Sequence, residues 1–126
     1  MKTKSTLFTI IAVLSVLVCF GQTAKYGELK KKGKYKTYIS KEGKTFKVGD
    51  TLTIGKPSLG DQFTYVTQGN VGAAAFLAGN TIIINKMKIW GPNKLNSQMY
   101  FSIKGYGLIE VLIDYENAFD ANEIIE

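Results

Sequence analysis

The sequence predicts an all-β fold, mainly antiparallel: a small barrel of five to seven strands with a short C-terminal helix. Three observations carry that expectation. Apolar and polar residues alternate with a period of two through most of the chain from Tyr35 onward, as in strands with one face buried. Glycines punctuate the alternation at close spacing, beginning with Gly43, Gly49 and Gly55, where turns between short strands need them. At Asp114 the period lengthens to that of a helix.

The first segment lies apart from this pattern. Lys2 and Lys4 precede an apolar run, Leu7 to Phe20, followed by Gly21. A positive head, an apolar stretch and a small residue after it predict a signal peptide over residues 1–21. The run is shorter than the roughly 20 residues that cross a bilayer core. A lipidated Cys19 is the alternative, and Val18 before it, where a small residue is required, speaks against that. The expected location is therefore the periplasm or the cell exterior, without a lipid anchor. Cleavage after Gly21 leaves a chain with no cysteine, so the fold has to rest on a hydrophobic core.

Residues 22–34 are lysine-dense without a clear apolar period and predict a flexible arm. The domain proper is expected over residues 35–126. The formal net charge is +6, and an acid-only tail from Ile109 balances the basic first half. A basic chain raises an anionic partner. All sixteen basic residues are lysine, whereas bidentate phosphate recognition uses arginine, and export removes most nucleic acid from reach. Nucleic acid is thus not an expected partner. Polyanion or transient membrane-surface contact through the arm stands as an alternative to a solvated lysine surface.

Each element follows from its own residues. Tyr35 to Ser40 and Thr45 to Val48 alternate around Lys41-Glu42-Gly43-Lys44 and predict a hairpin. Gly49-Asp50 turns the chain into Thr51 to Ile54, with Leu52 and Ile54 inward. Phe63 to Thr67 predicts a further strand. Gln68 to Asn80 is bounded by Gly69, Gly72 and Gly79, and is read as a packed loop or one or two helical turns. Thr81 to Trp90 predicts one long strand with Ile83, Asn85, Met87 and Ile89 on one face. Met99, Phe101 and Ile103 form the inward face of the next. Leu108 to Ile113 predicts a central strand interrupted by Glu110. Asp114 to Glu126 predicts a helix capped by Asp114, with Tyr115, Ala118, Phe119 and Ile125 on one side. For this length such strands imply an SH3-like or OB-type barrel.

The order YISKEGKTFKVGDTLTIGKPS, then FTYV, a strand ending Trp-Gly, and a close in IDYENAFDANEII resembles a group of small exported proteins of Bacteroides-type bacteria. In these a Lys-Val-Gly-Asp-Thr turn and a final Asp-x-Glu-x-Ala helix recur. The resemblance implies export and a single domain, and it implies no activity, cofactor or site residue. The Val48-Gly49-Asp50 turn is also similar to the turn before a strand in SH3-like barrels.

The chain has no histidine, and without Cys19 no thiol, which excludes Ser-His-Asp and Cys-His catalysis and the usual zinc sites. The glycines of Lys41 to Ser58 do not follow a strand and open a helix, as a phosphate loop requires. Two carboxylates remain for a hydrolase, Glu110 with Asp114 or Asp50 with Asp61; the competing reading of Glu110 is a solvent-facing residue paired with Lys86 or Lys104. Aromatics beside lysines on a small barrel suit an oligosaccharide, a peptide or a single-stranded polymer, against the plainer reading of cross-strand pairs that stabilise the sheet. The expected function is a non-enzymatic binding or envelope-associated module, with Lys47, Tyr65, Tyr100 and Lys104 as candidate ligand-binding residues. No catalytic residue, metal or cofactor is expected. The expected partners are another envelope protein, a peptide or a glycan.

Overall fold

The computed structural model describes residues 23–29, 32–92 and 96–125; the predicted signal segment 1–21 lies outside them. Among the described residues are twelve short strands and one short α-helix. The strands are β1 (Thr23–Lys25), β2 (Gly33–Tyr35), β3 (Thr37–Ile39), β4 (Thr45–Lys47), β5 (Thr51–Ile54), β6 (Gln62–Gln68), β7 (Val71–Ala74), β8 (Thr81–Ile83), β9 (Lys86–Trp90), β10 (Gln98–Ile103), β11 (Val111–Asp114) and β12 (Ile124–Ile125), with helix α1 (Tyr115–Asp120) before the last. The fold is all-β and mainly antiparallel with a short helix near the C-terminus, as the sequence predicts.

The strands are more numerous and shorter than the expected five to seven. They pair in three ladders: β1-β3-β4, β2-β9-β10-β11-β6-β7 and β12-β5-β8. Among the described residues these ladders do not join into one ring of hydrogen-bonded strands. They share one core. Tyr38, Phe46, Phe101 and Tyr115 meet at its centre, with Phe46 and Tyr115 ring centroids 4.8 Å apart and Phe101 and Tyr115 5.1 Å apart. Tilted and edge contacts of this kind add to the burial each ring contributes.

Five expectations change. The segment 68–80, expected as a packed loop or helical turns, holds strand β7, which pairs with β6, and a single 3-10 turn over Ala75–Leu77. The arm over 22–34 holds β1, which pairs in parallel with β3 and buries Ala24, and the start of β2, which pairs with β9. Edge strands satisfy its backbone there, so its lysine content does not leave it unpaired. The long strand over 81–90 is two. Ile84 still exchanges hydrogen bonds with Gly49 and Asp50, whereas the Asn85 N–H donates to the Ser102 carbonyl. The chain passes between sheets at that point and its alternation slips by one residue, so Ile82, Ile84, Met87 and Ile89 are buried and Ile83 is exposed. Strand β11 begins only at Val111; Leu108 and Ile109 lie exposed in the preceding loop. The helix ends at Asp120, and Ile125 belongs to β12 rather than to a helical face.

Strand β6 is bulged. Its pairing with β7 jumps from Gln62↔Ala74 to Thr67↔Gly72, so the β6 residues between these pairs oppose Ala73 alone. A side-chain carbon at Gly72 would overlap the Phe63 carbonyl oxygen, so only glycine admits β7 this close to the bulge.

Candidate functional site

The outer face of β9-β10-β11-β6 carries a groove of ≈ 430 Å³. Its construction follows from register. Tyr100 of β10 stands opposite Lys88 of β9 on one side and Asp114 of β11 on the other. Leu112 stands opposite Thr67 of β6. Residues two apart share a face, which adds Trp90 to Lys88 and Tyr65 to Thr67. All of these side chains line the groove, with Thr64 and Asn70 at its β6 side.

Trp90 is 60% exposed. Among the described residues neither it nor Tyr65 nor Tyr100 makes a ring–ring contact, in contrast to the interlocked core rings. The Tyr100 hydroxyl donates to Gln98 Oε1 at 3.3 Å. Burial, and then the neighbouring Asp114 charge, push that hydroxyl up from its ordinary pKa.

Two carboxylates flank the groove in opposite electrostatic states. The buried Ser102 hydroxyl donates to Glu110 Oε2, and Lys88 Nζ lies 3.9 Å from Glu110 Oε1. The Ser102 hydrogen bond, and after it Lys86, Lys88 and Lys104, hold Glu110 below the usual carboxylate range against the opposing effect of burial. Asp114 is only 9% exposed. Its Oδ2 accepts from the Asn117 side-chain amide at 2.8 Å, whereas Oδ1 is buried with no hydrogen-bond partner among the described residues. Burial pushes Asp114 up, and the Asn117 hydrogen bond only partly offsets this. Asp114 occupies the N-cap position of α1 without a side-chain capping bond, so the expected cap is not made.

Glu123 sets the position of the β6 wall. It is fully buried. Its Oε1 accepts from the Tyr65 N–H at 2.6 Å, and its Oε2 accepts from the Thr64 N–H at 2.8 Å, the Ser58 N–H at 2.9 Å and the Ser58 hydroxyl at 2.6 Å. The three N–H groups are backbone donors that the β6 bulge and the Ser58 turn leave without a ladder partner. Burial alone would raise the pKa of Glu123; the hydrogen bonds from Ser58, Thr64 and Tyr65 outweigh it and hold the carboxyl below its ordinary value.

Of the residues proposed from sequence, Tyr65 and Tyr100 come together in the groove. Lys47 lies on the β3-β4 hairpin, where its N–H donates to Asp50 Oδ2 at 2.8 Å, and does not line the groove. Lys104 follows β10 and bears on Glu110 electrostatically, outside the groove lining. Trp90 and Lys88 also line the groove and were not proposed; Asp114 lines it too, and was raised from sequence only as a hydrolase carboxylate beside Glu110, not as a ligand contact. The alternation Lys88-Trp90 on the strand beside Tyr100 is the signal that points to the first two. Asp114 carries no such signal, because a strand-to-helix junction reads as a cap.

A second cavity of ≈ 440 Å³ lies between Tyr26, Lys41, Met99 and α1. Its polar groups serve one another: Glu116 accepts from the Tyr38 hydroxyl at 3.2 Å and the Lys41 N–H at 3.1 Å, and Lys41 Nζ lies 3.9 Å from Asp120. Among the described residues no three Cys, Asp or Glu side chains gather as a metal-binding group.

Fold and groove together define a small, mainly antiparallel β protein with an aromatic surface groove of mixed charge. Comparison of the chain with protein-family models, curated proteins and solved structures finds no match in any of the three.

Proposed function

We propose that the protein is an exported, non-enzymatic binding module whose ligand surface is the groove between Tyr65, Trp90 and Tyr100. One observation carries this reading: three aromatic rings line one groove, and among the described residues none is engaged by another ring. Surface aromatics with faces to spare, beside a few polar groups, are what recognition sites use. The volume is within the range of small-molecule sites, about 300–1,000 Å³. Export rests on the N-terminal pattern of Lys2, Lys4 and the apolar run to Phe20.

A non-enzymatic role is supported by the two carboxylates. Glu110 is held ionised, which unsuits it as a general acid. Asp114 is tied to Asn117, and among the described residues it shares no hydrogen bond with Glu110.

The test is an amide and indole NMR titration of the purified protein with pooled oligosaccharides and pooled peptides. Shifts clustered on β6 and β9–β11, with the Trp90 indole N–H among them, are expected. Shifts confined to the cavity beside Glu116, or none with either pool, overturn the groove as a ligand site.

A second reading is favoured by one further feature. Lys34, Lys36 and Lys86 surround a depression of ≈ 280 Å³ beside Tyr35. Polyanion binding there falls steeply with salt and is lost when the three lysines are replaced by glutamine. Retention on a sulfated matrix that ignores both changes removes this reading.

A further inference from the structure

We infer that the groove takes a neutral oligosaccharide segment of at least two rings, stacked on Tyr65, Tyr100 and Trp90, with Asp114 accepting a ligand hydroxyl. The inference rests on the groove being the ligand site.

Geometry sets the minimum size. Tyr100 lies diagonally from Trp90 on the neighbouring strand, and Tyr65 lies two strands away from Tyr100. Strand spacing and rise place these positions roughly 8–10 Å apart. A single six-membered ring can be held between two such side chains, so a ligand that lies across all three in turn carries more than one.

Charge sets the class. An anionic ligand meets Asp114 at the floor of the groove and Glu110 at its edge. A cationic ligand meets Lys88 within the groove and Lys86 beside it. Lys88 is already paired with Glu110, so an anionic ligand finds no free cation, and a cationic ligand that reaches Asp114 also meets Lys88 and Lys86; desolvating a charge against a like charge is costly. A sugar chain carries no net charge. Its ring faces are apolar enough to lie on Tyr and Trp, and its hydroxyls donate and accept. The groove supplies both halves of that exchange, with donors at Lys88, Asn70 and the threonines and an acceptor at Asp114.

Asp114 gives an independent pointer. It is more than nine-tenths buried, and among the described residues one of its oxygens has no hydrogen-bond partner. A buried acceptor left unpaired is costly, and native structures rarely keep one without a reason. The orphan oxygen is closed to solvent in this structure, so a ligand donor in the groove reaches it with a small turn of the Asp114 side chain. A hydroxyl donor in the groove satisfies the orphan acceptor; an ether or an apolar group does not.

The chain contains one tryptophan, so its fluorescence reports on this groove alone. The purified protein is titrated with hexamers of β- and α-linked glucose, xylose, mannose and N-acetylglucosamine. Controls are a galacturonate hexamer, a glucosamine hexamer and a neutral hexapeptide. The expected result is a saturable change in Trp90 emission with at least one neutral sugar. That sugar binds at least tenfold more tightly than the charged hexamers and than its own monomer. Tyr65→Ala and Tyr100→Ala each weaken it at least tenfold, Tyr100→Phe leaves it within twofold, and Asp114→Asn weakens it severalfold, each read on protein that circular dichroism shows to be folded at the titration temperature.

If the peptide moves Trp90 emission and no sugar does, the groove remains a ligand site and the sugar inference fails. If no probe moves it and no groove resonance shifts, both fail. Equal binding of the glucosamine hexamer overturns the neutral class, and full affinity in Asp114→Asn overturns the role of that acceptor.

Discussion

The Tyr65 N–H donates to Glu123 Oε1 at 2.6 Å, so a residue of the groove wall is held by a buried carboxylate 58 positions later in the chain. The same carboxylate takes the Thr64 N–H and both donors of Ser58. One side chain therefore fixes the β6 bulge, the turn before it and the entry to β12.

Glu123→Ala is expected to lower stability by about 3 kcal/mol or more, because it leaves several buried backbone donors without an acceptor. Glu123→Gln retains one acceptor oxygen and costs less. Urea unfolding followed by circular dichroism measures both, and a loss under about 1 kcal/mol in the alanine variant contradicts the role assigned to this residue.

The pH dependence has a defined sign. Glu123 has a folded-state pKa below its unfolded one, so its contribution is fully present above the ordinary carboxylate range and is lost as pH falls through the depressed value. Asp114 and Glu116, raised mainly by burial, act in the opposite sense: the folded state holds their protons more tightly, so each costs stability as pH rises through its raised value. The stability gap between the parent protein and Glu123→Gln is thus expected to shrink as pH is lowered from neutrality toward 3. A gap that stays constant over that range would contradict the shift.

Gly72→Ala is expected to cost roughly 2 kcal/mol or more, since the added carbon overlaps the Phe63 carbonyl and either β7 or the bulge has to move. The accompanying readout is the Tyr65 amide resonance, which shifts if the bulge yields. An unchanged melting temperature and an unchanged resonance would mean that the close approach is not a constraint.

Phe101 and Trp90 make a contrasting pair. Phe101→Ala empties a site at the meeting point of Tyr38, Phe46 and Tyr115 and is expected to cost about 3–5 kcal/mol. Trp90→Ala removes an exposed ring and is expected to stay within about 0.5 kcal/mol. A large loss on removing Trp90 would make it a structural residue and weaken its assignment to the ligand surface.

The parts of the fold legible in the sequence are those in which one strand serves one sheet. Leu52 with Ile54, and Met99 with Phe101 and Ile103, alternate without interruption and are buried as their period requires. Where a strand changes partners, period alone is silent. The slip at Ile84-Asn85 and the bulge over Phe63–Val66 both arise from neighbouring backbone, and no local pattern announces either. Hydrophobicity misleads at Leu108 and Ile109, which stand in a glycine-flanked loop where no partner strand covers them. The site was half legible for a related reason. Tyr65 and Tyr100 sit on clean outward alternations, whereas Glu123 reads like any acid of an acidic tail until its distant donors are in place.

The contacts of Glu123 with Ser58 and of Glu116 with Tyr38 span 65 and 78 residues. Pairings of such separation close only after most of the chain has been collected, and topologies that depend on them fold in milliseconds to seconds rather than microseconds. The groove wall at Tyr65 thus acquires its final shape only once residue 123 has joined it. A chain still being synthesised, with its C-terminal residues not yet released, has no means of presenting it.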